Sequence, residues 1–202
     1  MKKLHLERLM VALWLGLLMW VSASARAQTP VEAAPFDIER SSEELSLTTQ
    51  LQFELSPAVE DALLKGVPIY FKAEVSVFRE RWYWYDKSVV SAARHYKLAF
   101  QPLTRRWRIS AGGGGASNAG QGLGLSQSFD NLAGAIDSIK RIAKWRIAGP
   151  GELDTAGRYR LDFRFQLDLS QLPRPFQIGV SGQPDWDISL SRSTMLLPET
   201  MK

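Results

Sequence analysis

The chain of 202 residues contains no cysteine. This absence excludes disulfide bonds, thiolate metal ligands, a cysteine nucleophile and a lipid anchor on an N-terminal cysteine. Hydrophobic residues make up 45% of the chain, an ordinary proportion for a globular protein that buries a core. Folding must therefore depend on that core, without covalent or metal crosslinks.

Histidine is nearly as scarce, since only His5 and His95 are present. A serine triad would have to use His95, yet neither Gly-x-Ser-x-Gly nor Ser-x-x-Lys occurs. One histidine without cysteine is a poor basis for a zinc site. The glycine-rich stretch 111–125 lacks Gly-x-Gly-x-x-Gly and Gly-Lys-Ser/Thr, so it is not a phosphate loop. We expect no catalytic residues, no cofactor, no metal and no enzymatic activity, and we interpret His95 as a surface residue at a strand start.

Charge of one sign is also missing once the N-terminus is set aside. Residues 1–27 hold Lys2, Lys3, Arg8 and Arg26 against Glu7, which leaves 21 basic and 20 acidic residues in the remainder. A net charge of about +1 gives no electrostatic reason to expect nucleic acid or an anionic membrane as the partner.

The N-terminus has the three parts of a secretory signal peptide. Basic residues precede an apolar run of 13 residues, Leu9 to Val21, and small residues follow, with Ala25 and Ala27 placed for cleavage after Ala27. Cleavage after Ala25 also fits. The run is shorter than the roughly 20 residues that span a bilayer. We expect a signal peptide over 1–27 and a periplasmic mature chain that is not stably inserted in the membrane; the alternative is an uncleaved anchor facing the periplasm.

Alternating apolar and polar residues dominate the mature chain. This period of two predicts strands over Leu45–Leu55, Ile69–Val77 and Tyr159–Leu169, shorter strands around Tyr96 and Trp107, and two last strands around Ile178 and Trp186. Residues 28–42 are expected to form a flexible tail and 196–202 another, so 43–195 is expected to be a single globular domain.

Two helices and one loop complete the prediction. Ser56-Pro57 and Gly66 bound a short helix that buries Val59, Ala62 and Leu63. An apolar stripe from Phe129 to Ala143 predicts a second amphipathic helix with Ser128 as its cap. Ala111–Leu125, with seven glycines, is predicted to be a flexible loop.

Half-buried strands indicate antiparallel sheets, because strands of buried parallel sheets are apolar on both faces. We expect a β-rich α+β domain in which two amphipathic helices cover the sheet or sheets. A β-sandwich with helical connections is the alternative.

One aromatic run is a candidate interaction surface, namely Arg81, Trp82, Tyr83, Trp84 and Tyr85. Exposed, the rings could stack on sugars or a peptide; buried, they are core area. A second candidate is the pair Asp185 and Asp187, which flanks Trp186. Two carboxylates alone are typical of a solvated strand end, so we interpret them in that way.

Three segments together carry a family resemblance: Glu44–Lys87, Leu167–Gln177 and Pro184–Ser189. Their most specific parts are Arg81-Trp82-Tyr83-Trp84 and Leu172-Pro173-Arg174-Pro175-Phe176. Over most of 43–191 the chain resembles the exported proteobacterial proteins grouped as domain of unknown function 4390, although the glycine-rich stretch does not match the common pattern. The resemblance implies a periplasmic location and no catalytic residues. It also implies a membrane sensor kinase as a candidate partner, because family members are often encoded beside such kinases.

These observations favour a non-enzymatic periplasmic domain that binds another protein and is linked to envelope signalling. The alternative is a module that binds carbohydrate or envelope glycan through Trp82–Tyr85. The sequence does not indicate an oligomeric state.

Overall fold

The computed structural model describes residues 32–41, 44–79, 87–115, 125–154, 157–180 and 182–197. Nine strands lie in this part of the chain: β1 Glu32–Arg40, β2 Leu45–Gln52, β3 Ile69–Arg79, β4 Lys87–Gln101, β5 Arg106–Gly115, β6 Leu125–Phe129, β7 Arg141–Ala148, β8 Tyr159–Leu167 and β9 Ser189–Leu196. The helices of the same part are α1 Pro57–Leu64, α2 Leu132–Lys140 and α3 Arg174–Val180, with 3₁₀ turns at Leu169–Gln171 and Pro184–Trp186.

The strands form two antiparallel sheets. One has three strands in the order β1-β2-β7, and the other has six in the order β6-β5-β4-β3-β8-β9. The fold is therefore α+β and rich in strands, as the alternation predicts. The apolar faces of the two sheets pack against each other, as in the alternative β-sandwich, while the helices lie in the connections.

Phenylalanine rings join the two layers of the core. Phe53, which follows β2, lies 5.7 Å from Phe71 and 5.4 Å from Phe165, measured between ring centroids. At the edge formed by β1, Phe36 meets Phe163 edge to face at 5.6 Å. Such aromatic pairs add to the stability that their buried area provides.

Helix α1 forms as its sequence predicts. The Ser56 hydroxyl accepts a hydrogen bond from the Val59 N–H at 3.3 Å, and Pro57 occupies the first turn, where its missing N–H costs nothing. Gly66, just beyond the helix, has φ of 84°, which glycine adopts without strain. The buried side chains are Val59, Ala62 and Leu63.

Four predictions about where elements begin and end, or about their type, need correction. Residues 32–40 are not part of a flexible tail, because β1 pairs with β2 along their length. Helix α2 is capped by Asn131, not Ser128, and ends at Lys140, after which the chain continues as β7. The segment around Ile178 is the helix α3, not a strand, and Trp186 lies in a 3₁₀ turn. The last strand extends to the buried Leu196, so residue 196 belongs to the domain.

The predicted glycine-rich loop is shorter than 111–125. Ala111–Gly115 continue β5, where they pair with β4, and Leu125 already belongs to β6. Residues 116–124 lie outside the described residues. Within the described part of the chain, no helix is both long and apolar enough to cross a bilayer.

Candidate functional site

The outer face of the six-stranded sheet, on the side away from the three-stranded sheet, is a polar surface. Its side chains come from the alternate positions that do not enter the core. Register places Glu74 opposite Arg164 and Ser76 opposite Asp162. Beyond β8, Ser191 and Ser193 of β9 stand opposite Arg164 and Asp162. One continuous polar surface therefore crosses β3, β8 and β9.

This surface contains an open groove of about 730 Å³. The charged and hydroxyl side chains that line it are Glu74, Ser76, Arg160, Asp162, Arg164, Ser191 and Ser193. Pockets for small ligands are mostly apolar and bury most of the ligand surface. The groove is instead polar and shallow, a shape that favours contact with a protein surface.

Ion pairs hold part of the groove in place. Lys72 Nζ lies 2.6 Å from Glu74 Oε1, and Arg160 Nε lies 3.3 Å from Asp162 Oδ1. The Ser193 hydroxyl donates a hydrogen bond to Asp162 Oδ1 at 2.6 Å. These pairs are half-exposed, so each contributes little to stability on its own. Their effect is to order the side chains of the groove before any partner arrives.

Arg164 differs from its neighbours in the groove. Its side chain is exposed, and Glu74, which stands opposite it, forms its ion pair with Lys72 instead. With the residues that the structure describes, Arg164 forms no ion pair. Its guanidinium is therefore available to a carboxylate of another molecule.

The aromatic run predicted as an interaction surface, Arg81 to Tyr85, lies outside the described residues. It falls between Arg79 and Lys87, the paired ends of β3 and β4. The register of these two strands shifts between Val77 and Phe78.

His95 is exposed, as predicted, but it lies within β4 and not at a strand start. It stands opposite Lys72 on the outer face and lines a hollow of about 380 Å³ together with Tyr70 and Lys97. The hollow is therefore part of the same polar outer face.

Asp185 and Asp187 are exposed beside the buried Trp186. The Asp185 carbonyl accepts a hydrogen bond from Ser56 at 2.7 Å, and Asp187 Oδ1 accepts one from Ser189 at 2.9 Å. In the described ranges no three histidine or acidic side chains are grouped so that they could hold a metal ion. Both aspartates are thus accounted for by local hydrogen bonding and solvent.

Nothing in the sequence distinguishes Arg164 from the other charged residues of the outer face. The signal available was the order Arg160, Asp162, Arg164 on one strand face. It could not locate a groove, because the groove depends on β3 and β9 lying on either side of β8.

Two packed antiparallel sheets, connecting helices and an open polar groove define a β-rich α+β domain with a surface suited to binding. A family model described as domain of unknown function (DUF4390) matches residues 29–195, and the chain belongs to this family. No curated protein and no solved structure matches the chain.

Proposed function

We propose that the mature chain is a non-catalytic periplasmic domain that binds another protein through the groove on the outer face of its six-stranded sheet. The observation that carries the proposal is the groove of about 730 Å³ across β3, β8 and β9, lined by ordered charges and by the exposed Arg164.

The size of the face fits a protein partner. Six strands about 4.8 Å apart give a sheet roughly 24 Å across, and strands of about eight residues are roughly 26 Å long. The product is on the order of 600 Å², near the ~800 Å² that each partner contributes to a standard interface. A small ligand would use only a fraction of this area.

The chemistry of the face also fits a protein partner. Arginine is enriched at the residues that dominate binding energy, because its guanidinium binds carboxylates in a bidentate geometry. Arg164 lies at the centre of the groove between Glu74 and Ser191. Serine hydroxyls along β9 can donate to or accept from a polypeptide backbone. The partner surface that matches is polar and carries a carboxylate opposite Arg164.

The location of this activity follows from the N-terminus. The signal peptide predicted over 1–27 supports a periplasmic location, where the extracytoplasmic part of a membrane sensor kinase is the partner that the family resemblance suggests. Intact-mass analysis of periplasmic protein should show a chain that starts at Gln28 or Arg26. A chain that retains Met1 to Val21 would replace the periplasmic proposal with a membrane-anchored one.

Site-specific photocrosslinking in living cells tests the binding face. A benzophenone amino acid at position 164 or 191 should give a discrete adduct with another protein. The same probe at Leu103, which is fully exposed in the turn between β4 and β5, is the control and should give none. Adducts from position 103 with none from 164 or 191 would refute the proposed face.

A charge reversal provides a second arm. Arg164→Glu should abolish the adduct formed from position 191. Arg146→Glu makes the same change on an exposed residue of β7, in the other sheet, and should leave the adduct intact. Equal loss in both variants would mean that net charge, not the groove, governs association. A different outcome is that Arg164→Glu leaves the adduct from position 191 unchanged while soluble envelope glycan prevents crosslinking of the chain. In that case the glycan-binding alternative through Trp82–Tyr85 replaces the proposal.

A further inference from the structure

A second cavity lies on the inner side of the six-stranded sheet, separate from the groove. It has a volume of about 360 Å³ and opens between the ends of β4, β5 and β6, the helix α2 and the start of β7. The polar side chains that line it are Arg94, Tyr96, Gln127, Ser138 and Arg141, and the apolar ones are Ile109, Ala111 and Leu125. Polar and apolar groups therefore converge on one cavity, as they do in small-molecule sites.

The Tyr96 hydroxyl is the least expected group in this cavity. Tyr96 is only 5% exposed, and its Oη forms no hydrogen bond of good geometry among the described residues, although the Arg94 guanidinium lies close to it. A buried hydroxyl without a partner costs free energy, so native structures seldom leave one unless a water or ligand supplies the missing bond. Burial raises the pKa of Tyr96, while the charge and the nearby N–H donors of Arg94 oppose that shift, so the hydroxyl stays protonated at neutral pH.

Arg94 and Arg141 line the same cavity. Arg94 lies over the Trp145 ring, 5.0 Å from its centroid, a contact that offers no lone pair to the guanidinium N–H groups. Neither Arg94 nor Arg141 forms an ion pair within the part of the chain that the structure describes. Residues 116–124, which follow β5, contain no aspartate or glutamate that could supply the missing carboxylate.

Gly112 and Gly113 of β5 lie at the wall of the cavity. Gly113 stands opposite Arg94 in the sheet. A Cβ there would lie 2.6 Å from the Ala93 carbonyl oxygen and 2.9 Å from the Arg94 Cα, so this position requires glycine. The strand therefore approaches Arg94 closely while leaving the hollow beside it open.

We infer that this inner cavity is a binding site for a small organic anion, whose carboxylate or phosphate oxygens accept hydrogen bonds from Arg94, Arg141 and the Tyr96 hydroxyl. The inference does not depend on the proposed protein-binding function, since no residue of the cavity lines the groove. Ile109, Ala111 and Leu125 would cover the apolar part of such a ligand. A volume of about 360 Å³ is at the lower end of the range for ligand pockets, so the expected ligand is small.

Heteronuclear NMR titration of the mature chain in low-chloride buffer tests the site with three probes: benzoate, phenyl phosphate and inorganic phosphate. We expect saturable shifts of the Gly113 amide and of the Arg94 Nε–H signal. Binding of benzoate alone would assign a carboxylate ligand, and binding of either phosphate would assign a phosphate ligand. If none of the three probes causes shifts at a concentration of about 10 mM, where even a weakly bound ligand would be detected, the inference is refuted.

Three variants separate binding from folding. Tyr96→Phe removes only the hydroxyl; it should leave the melting temperature unchanged or raised and weaken binding about tenfold, because one hydrogen bond to a charged group is lost. Arg141→Gln, at an exposed position, should weaken binding by a similar factor. Arg108→Gln is the control, since Arg108 binds Ser126 Oγ on the opposite face of the sheet, and it should have no effect. Shifts that persist unchanged in both Tyr96→Phe and Arg141→Gln would show that the anion binds elsewhere.

Discussion

Arg94 on β4 lies over the ring of Trp145 on β7, with its guanidinium carbon 5.0 Å from the ring centroid. The contact links the six-stranded sheet to the three-stranded sheet at the margin of the inner cavity. Trp145 is buried at this point, so its side chain closes the core as well as supporting the arginine.

Trp145→Ala should therefore destabilise the protein by roughly 3–5 kcal/mol, the usual cost of removing a buried tryptophan. Trp145→Phe should cost less, because a ring remains beneath Arg94. Urea unfolding of both variants beside the parent measures the difference. A Trp145→Ala variant within about 0.5 kcal/mol of the parent, as for a surface change, would mean that the two sheets do not pack as described.

Trp145 also illustrates why the sequence predicted some strands and not others. In β3 and β8 every second residue is buried, so the period of two is unbroken and the prediction is right. In β7, by contrast, Lys144 adopts a φ of 42°, and the register with β2 shifts twice. The buried positions Ile142, Trp145 and Ile147 are then spaced by three and two, which resembles the continuation of helix α2.

The sequence pattern does not predict strand β1, for a different reason. Pro35 lies within it, and proline cannot donate to a ladder hydrogen bond, so the pattern indicated a tail. The structure accommodates this residue on an edge strand, at a register shift between Ala33 and Phe36. The cavity residues were visible only in part: Arg94 occupies an apolar-face position between Ala92 and Tyr96, but a single strand does not show what faces it.

Gly113→Ala is expected to lower stability by more than about 1 kcal/mol, because the new Cβ would collide with the backbone of β4. Gly112→Ala is the matched control. Nothing lies within 4 Å of a Cβ at Gly112, so this variant should unfold within about 0.5 kcal/mol of the parent. Thermal or urea unfolding of the pair decides whether Ala111–Gly115 form a paired strand. Equal stability of the two variants would favour the flexible loop that the glycine content predicts.

Arg40 links β1 by hydrogen bonds to residues near the C-terminus and before β8. Its guanidinium donates to the Leu197 carbonyl at 2.8 Å and to the Asp154 carbonyl at 2.6 Å. Arg40→Ala should cost about 1–3 kcal/mol, because hydrogen bonds from a charged donor are lost together with contact to Tyr159. Glu39→Ala, an exposed neighbour on the same strand, should be nearly neutral. Urea unfolding of the two variants measures the difference. Indistinguishable midpoints would favour the prediction that residues 28–42 form a tail.

Alkaline pH should unfold the protein partly through Tyr96. Its pKa is raised by burial in the folded state, whereas an exposed tyrosine of the unfolded chain ionises near pH 10. The folded state thus favours the neutral phenol. This contribution to stability is fully present below about pH 10 and is lost as the pH rises through the higher folded-state pKa.

Urea unfolding between about pH 8 and pH 11 measures this linkage. Tyr96→Phe, which cannot ionise, should lose less stability than the parent over that interval. Parallel curves for the parent and Tyr96→Phe would show that Tyr96 titrates as if it were exposed.

The last prediction concerns Trp82 and Trp84, which lie outside the described residues and which separate the two functions considered from the sequence. Alternation places both rings on one face of a strand. If that face is buried, each ring removes on the order of 200 Å² from water, and truncation to alanine costs roughly 3–5 kcal/mol. This is a large part of the 5–15 kcal/mol that holds a typical domain together. We expect that outcome for at least one of Trp82→Ala and Trp84→Ala, measured by urea unfolding beside the parent. If both variants keep their stability within about 0.5 kcal/mol, the two rings are an exposed platform, and binding of envelope glycan becomes the better explanation of the run from Arg81 to Tyr85.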